Sequence, residues 1–187
     1  MISNLYNYLT VPGYGGSAEE SWQTHWEQLY PEITRVEQED WDYPEKGAWV
    51  KRLTECVEKK SGKPVILIAH SLGCGTIIHA INQGVLKNVA GLFLVGLPEI
   101  DREDFPKECV GFSPVPQIKL PIPAIMLASE NDEYCDYDVT EKWSKILDVK
   151  LVNVGKLGHM GDSAKLRDWE QGQEIFKEFI ESLSTDF

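Results

Sequence analysis

One apolar run that ends in a turn of small residues constrains the fold of this chain more than any other stretch. The run Val65-Ile66-Leu67-Ile68-Ala69 has the length and β-branched composition of a buried strand, and residues 76–82 have a helical pattern. A strand that passes into a helix through so short a turn places its middle residue on a sharp bend, with the side chain exposed at the end of a sheet. That residue is Ser71.

The turn matches the pattern of a nucleophile elbow. Ala69-His70-Ser71-Leu72-Gly73 reads G-x-S-x-G except at its first position, where alanine adds one methyl group. Small residues are needed in such a turn because the strand and helix backbones nearly touch. A serine that only caps the following helix is the structural alternative. The strand before the turn and the helix after it favour a nucleophilic Ser71.

Segments with strand character and helix character alternate along the 187 residues. The predicted strands cover residues 5–11, 33–36, 65–69, 89–95, 122–128 and 151–154. The predicted helices cover residues 18–29, which Ser17 would cap, and residues 46–60, 76–82, 138–147 and 167–183. Strands apolar enough to be buried on both faces are typical of α/β proteins. We therefore predict a three-layer α/β/α sandwich with a six-stranded, mostly parallel sheet.

Residues 96–121 form the one long segment without a regular pattern. Its prolines argue against a single long helix, and they are Pro98, Pro106, Pro114, Pro116 and Pro121. Because the segment is too short for a separate cap domain, we expect either a short lid or an irregular loop. Residues 1–187 are accordingly expected to form a single domain without a large cap.

Charge and composition argue against several classes of partner. The formal net charge of −12 is unfavourable for binding nucleic acid or an anionic membrane surface. No apolar stretch is long enough to span a membrane, and Met1-Ile2-Ser3-Asn4 lacks the start of a secretory signal. Cys56, Cys74, Cys109 and Cys135 are scattered without metal-like spacing and are expected to be reduced thiols. These features together predict a cytoplasmic protein.

A serine hydroxyl becomes an effective nucleophile only when a base removes its proton, and the chain has four histidines. His25 lies in the first predicted helix, His70 adjoins the serine with its side chain pointing elsewhere, and His79 lies two turns into the next helix. His159 lies in a glycine-flanked loop after the last strand, at the edge of the sheet where Ser71 also lies. Elimination therefore predicts His159 as the base.

A carboxylate should hold the base in the correct tautomer. We predict Asp132 for this role, in the stretch Ser129-Glu130-Asn131-Asp132-Glu133 that follows a predicted strand. Three further carboxylates remain as alternatives, namely Glu130, Asp136 and Asp138. The resulting chain order of serine, aspartate and histidine is the order of α/β-hydrolases, and it differs from that of the two large serine-protease folds.

The negative oxygen that forms during acyl transfer needs hydrogen-bond donors placed in advance. The backbone amide of Leu72 is one predicted donor. The other is expected in the glycine-rich turn 12–17, where we favour the amide of Tyr14, with Gly15 as the alternative. Without this role the segment is a plain turn. No ligand cluster for a metal or cofactor is visible in the sequence, and none is expected.

Further residues at the carboxyl edge of the sheet are candidates for a substrate pocket, because ligands of α/β proteins bind at that edge. Two of them, Trp41 and Tyr43, lie in an acidic and aromatic stretch after the second strand, for which a plain surface loop is the alternative. The predicted pocket residues are Gly13, Gly15, Trp41, Tyr43 and His70.

Several stretches together match the pattern of a known family. They are residues 11–17, Trp22 with Trp26, and residues 40–44, 69–73, 129–132, 158–159 and 161–172. In these stretches the chain resembles, over nearly its full length, the small serine hydrolases related to retinoblastoma-binding protein 9 and their bacterial YdeN-type relatives. The resemblance implies a minimal α/β-hydrolase fold and a triad of Ser71, Asp132 and His159. Glycine is frequent in this family where the chain has Ala69.

The predicted function is a serine hydrolase, specifically a carboxylesterase that acts on small acyl esters through an acyl-enzyme at Ser71. An amidase or a peptidase would use the same residues. The alternative from another class is a protein-interaction module with weak or vestigial activity, which the acidic and aromatic residues around Trp41 favour. The expected partner is a small-molecule ester, or a protein under this alternative.

Overall fold

Two adjacent strands in the middle of the chain are apolar on both faces and form the centre of a sheet. A computed structural model describes residues 2–183. The strands are β1 (Asn7–Val11), β2 (Ile33–Arg35), β3 (Val65–His70), β4 (Val89–Val95), β5 (Ala124–Ala128) and β6 (Lys150–Asn153). They pair in the order β2-β1-β3-β4-β5-β6, and each adjacent pair is parallel. The predicted six-stranded sheet is confirmed.

Helices connect all consecutive strands except β4 and β5, which an irregular segment joins, and they cover both faces of the sheet. They are α1 (Trp22–Leu29), α2 (Lys46–Glu58), α3 (Leu72–Asn82), α4 (Tyr137–Leu147) and α5 (Glu170–Leu183), with a short 3-10 helix at Asp162–Ala164. Within residues 2–183, every helix is too short or too polar to cross a lipid bilayer.

The side chains of β3 alternate between two apolar cores, as the two-residue period of a strand requires. Leu67 belongs to a core formed with α2, α3 and α4, whereas Ile66 and Ile68 belong to a core formed with α1 and α5. The sheet therefore lies between two helical layers. The predicted three-layer sandwich without a large cap is confirmed.

The starts of two helices differ from the prediction by a full turn. α1 begins four residues later than predicted, because the hydroxyl of Ser21 accepts a hydrogen bond from the Gln23 amide and caps the helix. The predicted cap, Ser17, instead donates its hydroxyl to the Gln23 side chain. α3 begins four residues earlier than predicted, at Leu72. Glycines of low helix propensity in its first turn concealed that start.

Residues 96–121 follow an irregular path that packs against α2 and α3. The amide of Lys46 donates to the carbonyl of Val110 at the start of α2. Phe112 and Ile100 are 0% and 2% exposed and belong to the core on this face of the sheet. The ring of Phe112 contacts that of Trp49 at a centroid distance of 5.9 Å. The segment is thereby attached to the same core as the two helices.

The first turn of α3 lies directly against the end of β1. A Cβ atom added at Gly73 would lie 2.1 Å from the carbonyl oxygen of Val11 and 2.8 Å from that of Pro12. Cβ atoms in proteins essentially never lie within 3.0 Å of such an atom. Because both oxygens belong to the backbone, they cannot easily move away. This close approach explains why the turn ends in glycine.

We expect Gly73→Ala to lower the free energy of unfolding by about 3 kcal/mol, because the added methyl group must displace backbone atoms. Chemical denaturation measures the change. Gly75→Ala is the matched control on the same helix, since its methyl group would meet only side-chain carbons, the nearest at the end of Ile100. The control should change the free energy by less than about 1 kcal/mol. Equally small effects of both substitutions would contradict the steric explanation.

Candidate active site

Ser71 lies on the bend between β3 and α3 in an uncommon backbone conformation. Its φ of 54° and ψ of −127° lie outside the regions that residues with a side chain usually occupy. Although Ser71 stands at the N-cap position of α3, its hydroxyl makes no capping hydrogen bond. The capping alternative therefore has no support, and the hydroxyl has a different partner.

That partner is the imidazole of His159. Nε2 of His159 lies 2.8 Å from Oγ of Ser71, and Nδ1 lies 2.9 Å from both carboxylate oxygens of Asp132. Asp132 follows β5 and His159 follows β6, so both approach Ser71 from the carboxyl edge of the sheet. Their side chains are only 5% and 10% exposed. The structure thus brings together the three side chains that the sequence analysis selected.

The alternative carboxylates have other positions. Glu130 accepts a hydrogen bond from the side chain of Asn153. Asp136 is the N-cap residue of α4, and Asp138 lies in the first turn of that helix. Of the four carboxylates considered, Asp132 is the one that contacts His159.

Two of the alternative histidines have partners away from Ser71. Nδ1 of His25 lies 2.9 Å from the carboxylate of Asp168. His79 is buried within α3, and its Nε2 lies 2.7 Å from the carbonyl oxygen of Phe112. Both are structural contacts in the two helical layers.

His70, directly before the serine, contacts the backbone of the loop that carries His159. Its Nε2 lies 2.8 Å from the carbonyl oxygen of His159. Because a carbonyl oxygen only accepts, Nε2 of His70 carries the proton and donates it. Burial, together with repulsion from His159, lowers the pKa of His70 from 6.5 to about 3. The ring of His70 is therefore neutral at pH 7.

Two side chains whose role the sequence analysis missed hold the same loop on its other side. The carboxamide oxygen of Asn131 accepts from the amide of Gly158, and the hydroxyl of Ser129 accepts from the amide of Leu157, each at 2.9 Å. Ser129 also donates its hydroxyl proton to Asn131. The signal was available, because serine and asparagine directly after a strand often bind nearby backbone groups.

The backbone amides predicted to stabilise an oxyanion differ in availability. The amide of Gly15 donates to the carbonyl oxygen of Trp41 at 2.9 Å, whereas those of Tyr14 and Leu72 have no acceptor among residues 2–183. A Cβ atom at Gly13 would lie 3.0 Å from the Leu72 nitrogen, so glycine at this position keeps space beside that amide. Of the two amides considered in the turn, Tyr14 is the available one.

A cavity of about 200 Å³ lies beside Ser71 and His159. Its lining includes Pro98, Phe105, Glu133, Tyr134 and Asp162, none of which the sequence analysis selected. The ring of Tyr134 lies against the imidazole of His159, at a centroid distance of 4.5 Å. Tyr134 follows Asp132 by two residues and was open to prediction, whereas Phe105 lies in the irregular segment and gave no signal.

Three of the five predicted pocket residues lie at this cavity or beside it. His70 is part of the lining. Gly13 passes so close to the bend that a Cβ atom there would lie 2.7 Å from Cβ of Ser71. Gly15 adopts a φ of 77°, which favours glycine, and turns the chain behind Tyr14.

The other two predicted pocket residues are not part of the cavity lining. Trp41 packs edge to face against Trp49 of α2, and Tyr43 lines a separate cleft beside that helix. The loop after β2 follows α2 because Nε1–H of Trp49 donates to the carbonyl oxygen of Asp40. Trp41 also lies behind the cavity wall, because a Cβ atom at Gly16 of the lining would lie 3.2 Å from its ring. Tyr43 lines only the separate cleft.

The cysteines offer no competing nucleophile near the bend. Burial raises the pKa of the Cys74 thiol to about 12 and those of Cys109 and Cys135 to about 11. All four cysteines are free. Within residues 2–183, no group of three or more histidine, cysteine, aspartate or glutamate side chains is arranged to hold a metal ion.

The chain is similar in sequence and fold to known hydrolases. The profile of a family described as serine hydrolase matches residues 8–178. The structure of a YdeN-like hydrolase from Pectobacterium atrosepticum SCRI1043 is 31% identical, covers 95% of this chain and 92% of its own, and has a TM-score of 0.85. Comparison with curated protein sequences gives no significant match.

More distant structures share the fold alone. The ydeN gene product of B. subtilis is 15% identical, with 94% of this chain and 99% of its own covered and a TM-score of 0.70. Est1E from Butyrivibrio proteoclasticus, solved with bound ferulic acid, is 16% identical, with 92% and 88% covered and a TM-score of 0.64. The family profile and the Pectobacterium structure, which is 31% identical, both span nearly the whole chain. The protein therefore belongs to the serine hydrolase family and is a hydrolase of the YdeN type.

Proposed function

We propose that the protein is a carboxylesterase that cleaves small acyl esters through an acyl-enzyme intermediate on Ser71. One observation carries this proposal: the hydrogen-bonded series from Ser71 Oγ through the His159 imidazole to the Asp132 carboxylate, with distances of 2.8 and 2.9 Å. This is the arrangement in which a weakly nucleophilic hydroxyl is activated by a base that a carboxylate orients.

In the first half of the reaction, Oγ of Ser71 attacks the ester carbonyl carbon while Nε2 of His159 accepts the hydroxyl proton. The carboxylate of Asp132 accepts a hydrogen bond from Nδ1–H of His159 and stabilises the imidazolium that forms. Collapse of the tetrahedral intermediate breaks the bond to the alcohol oxygen, which takes the proton from Nε2. The alcohol leaves, and the acyl group remains on Ser71.

In the second half, water repeats the attack with the same residues. His159 accepts a proton from the water molecule as its oxygen bonds to the acyl carbon, and it returns that proton to Oγ as the acid leaves. In both halves the negative oxygen would bind the amides of Leu72 and Tyr14. Each such donor is worth about 3 kcal/mol of transition-state stabilisation.

The size of the cavity supports a small acyl group. Its volume of about 200 Å³ is below the roughly 300–1,000 Å³ of sites that bind drug-sized ligands. Phe105 and Tyr134 form apolar parts of its wall, and they would contact an acyl chain rather than a charged group.

An amidase or a peptidase would use the same residues, and a protein-interaction module is the second candidate. The exposure of Tyr43, 68% beside α2, is the observation that favours the second candidate. Its partner would be a protein that binds this cleft. Binding that is indifferent to Ser71→Ala, in a protein that hydrolyses no ester, would support the module.

A panel of p-nitrophenyl esters of graded acyl length, with the matching anilides, tests the substrate class. We expect kcat/KM to be highest for the shortest acyl groups and to fall for octanoyl and longer chains, because a cavity of about 200 Å³ has little room for a long chain. The anilides should react more slowly than the esters. A preference for long chains or for anilides would overturn the assignment as an esterase for small acyl groups.

We expect a fluorophosphonate probe to label the wild-type protein and not Ser71→Ala, because the probe forms its bond to the activated hydroxyl. Intact-protein mass spectrometry measures the added mass. Ser61→Ala is the control, since this serine lies in the exposed loop before β3, and it should be labelled as the wild type is. Labelling that persists in Ser71→Ala would assign the nucleophile to another residue.

We expect Asp132→Asn to lower kcat about 10³- to 10⁴-fold, because an amide does not hold the Nδ1–H tautomer of His159 as a carboxylate does. KM should change little, since Asp132 binds the imidazole and not the substrate. Steady-state kinetics on a short-chain ester measures both constants. Glu130→Gln, a neighbouring carboxylate with a different partner, is the control and should keep kcat. An equal loss in both variants would argue against a specific role of Asp132.

A further inference from the structure

Side chains from two other elements hold consecutive carbonyl groups of the loop that carries His159. Nε2–H of His70, at the end of β3, donates to the carbonyl oxygen of His159 at 2.8 Å. Nε1–H of Trp22, at the start of α1, donates to the carbonyl oxygen of Met160 at 3.0 Å. His70 and Trp22 are 6% and 0% exposed, and their rings meet edge to face at a centroid distance of 6.4 Å. The two donors therefore form one packed unit beneath the loop.

We propose that His70, together with Trp22, is a positioning residue that orients the imidazole of His159 toward Ser71. The proposal rests on the proposed function, because it concerns the base of that reaction. The direction of the imidazole depends on the backbone of its own residue, and His70 binds the carbonyl group of that residue. Neither His70 nor Trp22 takes part in the chemistry directly.

The local backbone does not hold this loop in place by its own preference. Met160 has a φ of 55°, in the left-handed region that residues with a side chain seldom occupy. Contacts from outside the loop must therefore maintain its path. Asn131 and Ser129 bind the amides of the two residues before His159. His70 and Trp22 bind the other kind of backbone group in this loop, the carbonyl groups of His159 and Met160.

The neutral state of His70 suits a donor in this position. The centroids of the His70 and His159 rings lie 5.0 Å apart, and His159 becomes positively charged when it accepts the serine proton. A permanent cation at position 70 would repel that charge and raise the barrier. Burial keeps the pKa of His70 at about 3, so the ring donates its hydrogen bond without adding charge.

Two amide substitutions at position 70 test the proposal. Glutamine carries its amide nitrogen about as far along the side chain as Nε2 of histidine, whereas asparagine is too short to reach the carbonyl group. We expect His70→Asn to lower kcat on a short-chain ester between about tenfold and about a hundredfold. His70→Gln should recover most of the lost kcat.

A spectroscopic readout separates orientation from turnover. In protein labelled with ¹⁵N-histidine, the Nδ1 proton that His159 shares with Asp132 should give a downfield ¹H resonance. We expect this resonance to broaden or disappear in His70→Asn and to return in His70→Gln. A wild-type protein that has the resonance but reacts with neither esters nor fluorophosphonates would overturn the proposed function and leave the positioning role supported.

His79→Asn is the matched control, because it removes another buried histidine that donates to a carbonyl oxygen, that of Phe112, outside the loop. It should lower the melting temperature and leave kcat and the resonance unchanged. If His70→Asn behaves in the same way, or if His70→Gln is no better than His70→Asn, the positioning role is wrong. Should His70→Asn not fold, Trp22→Phe takes its place, because it keeps an aromatic ring and removes the donor to Met160. Unchanged kcat and an unchanged resonance in that variant would equally overturn the proposal.

Discussion

The contact between the end of β1 and the first turn of α3 is the constraint on which the rest of this molecule depends. Because Gly73 has no side chain, the carbonyl groups of Val11 and Pro12 approach the helix directly. The same approach brings the glycine-rich turn after β1 beside the bend that holds Ser71. Tyr14 in that turn and Leu72 at the start of α3, which belong to two different elements, therefore both line the cavity beside Ser71.

The second requirement is that the His159 imidazole lies at hydrogen-bond distance from the Ser71 hydroxyl, and the parallel sheet meets it in part. The loops after β3, β5 and β6 all leave from the carboxyl edge. A position at this edge does not by itself fix the conformation of the glycine-flanked loop that carries His159. The buried polar groups of this loop also need hydrogen-bond partners. An unpaired buried group costs about 1–3 kcal/mol. Side chains before and beneath the loop satisfy its amides and carbonyls in one arrangement, which restricts the loop to that arrangement.

The sequence predicted those features that depend on local pattern and chain order. The strands were predictable because runs such as residues 65–69 are apolar on both faces, and the candidate residues Asp132 and His159 were selected because each follows a predicted strand. The start of α3 was not predictable, because Gly73 and Gly75 are weak helix formers and packing against β1 and residues 96–121 decides the outcome. In such cases tertiary contacts override local propensity.

Long-range contacts also explain the errors at the site. Tyr43 lies away from Ser71 because a contact between Trp49 and the backbone at Asp40 directs the loop after β2. The partner of His70 lies 89 residues further along the chain, so its pairing with a carbonyl group has no local signature. Adjacent residues on a sharp bend do point in different directions, and in this protein that separates the Ser71 hydroxyl from the His70 imidazole beneath the loop.

The buried imidazole of His70 also has a consequence for acidic solutions. In the unfolded chain the pKa of His70 is near its ordinary value of 6.5, whereas burial in the folded chain lowers this pKa to about 3. Between these values the unfolded form binds more protons at this position, so acidification shifts the equilibrium toward unfolding, and the contribution is recovered as the pH returns above 6.5. The His70 imidazole that holds the loop in place at neutral pH thus also makes the folded state less stable in acid.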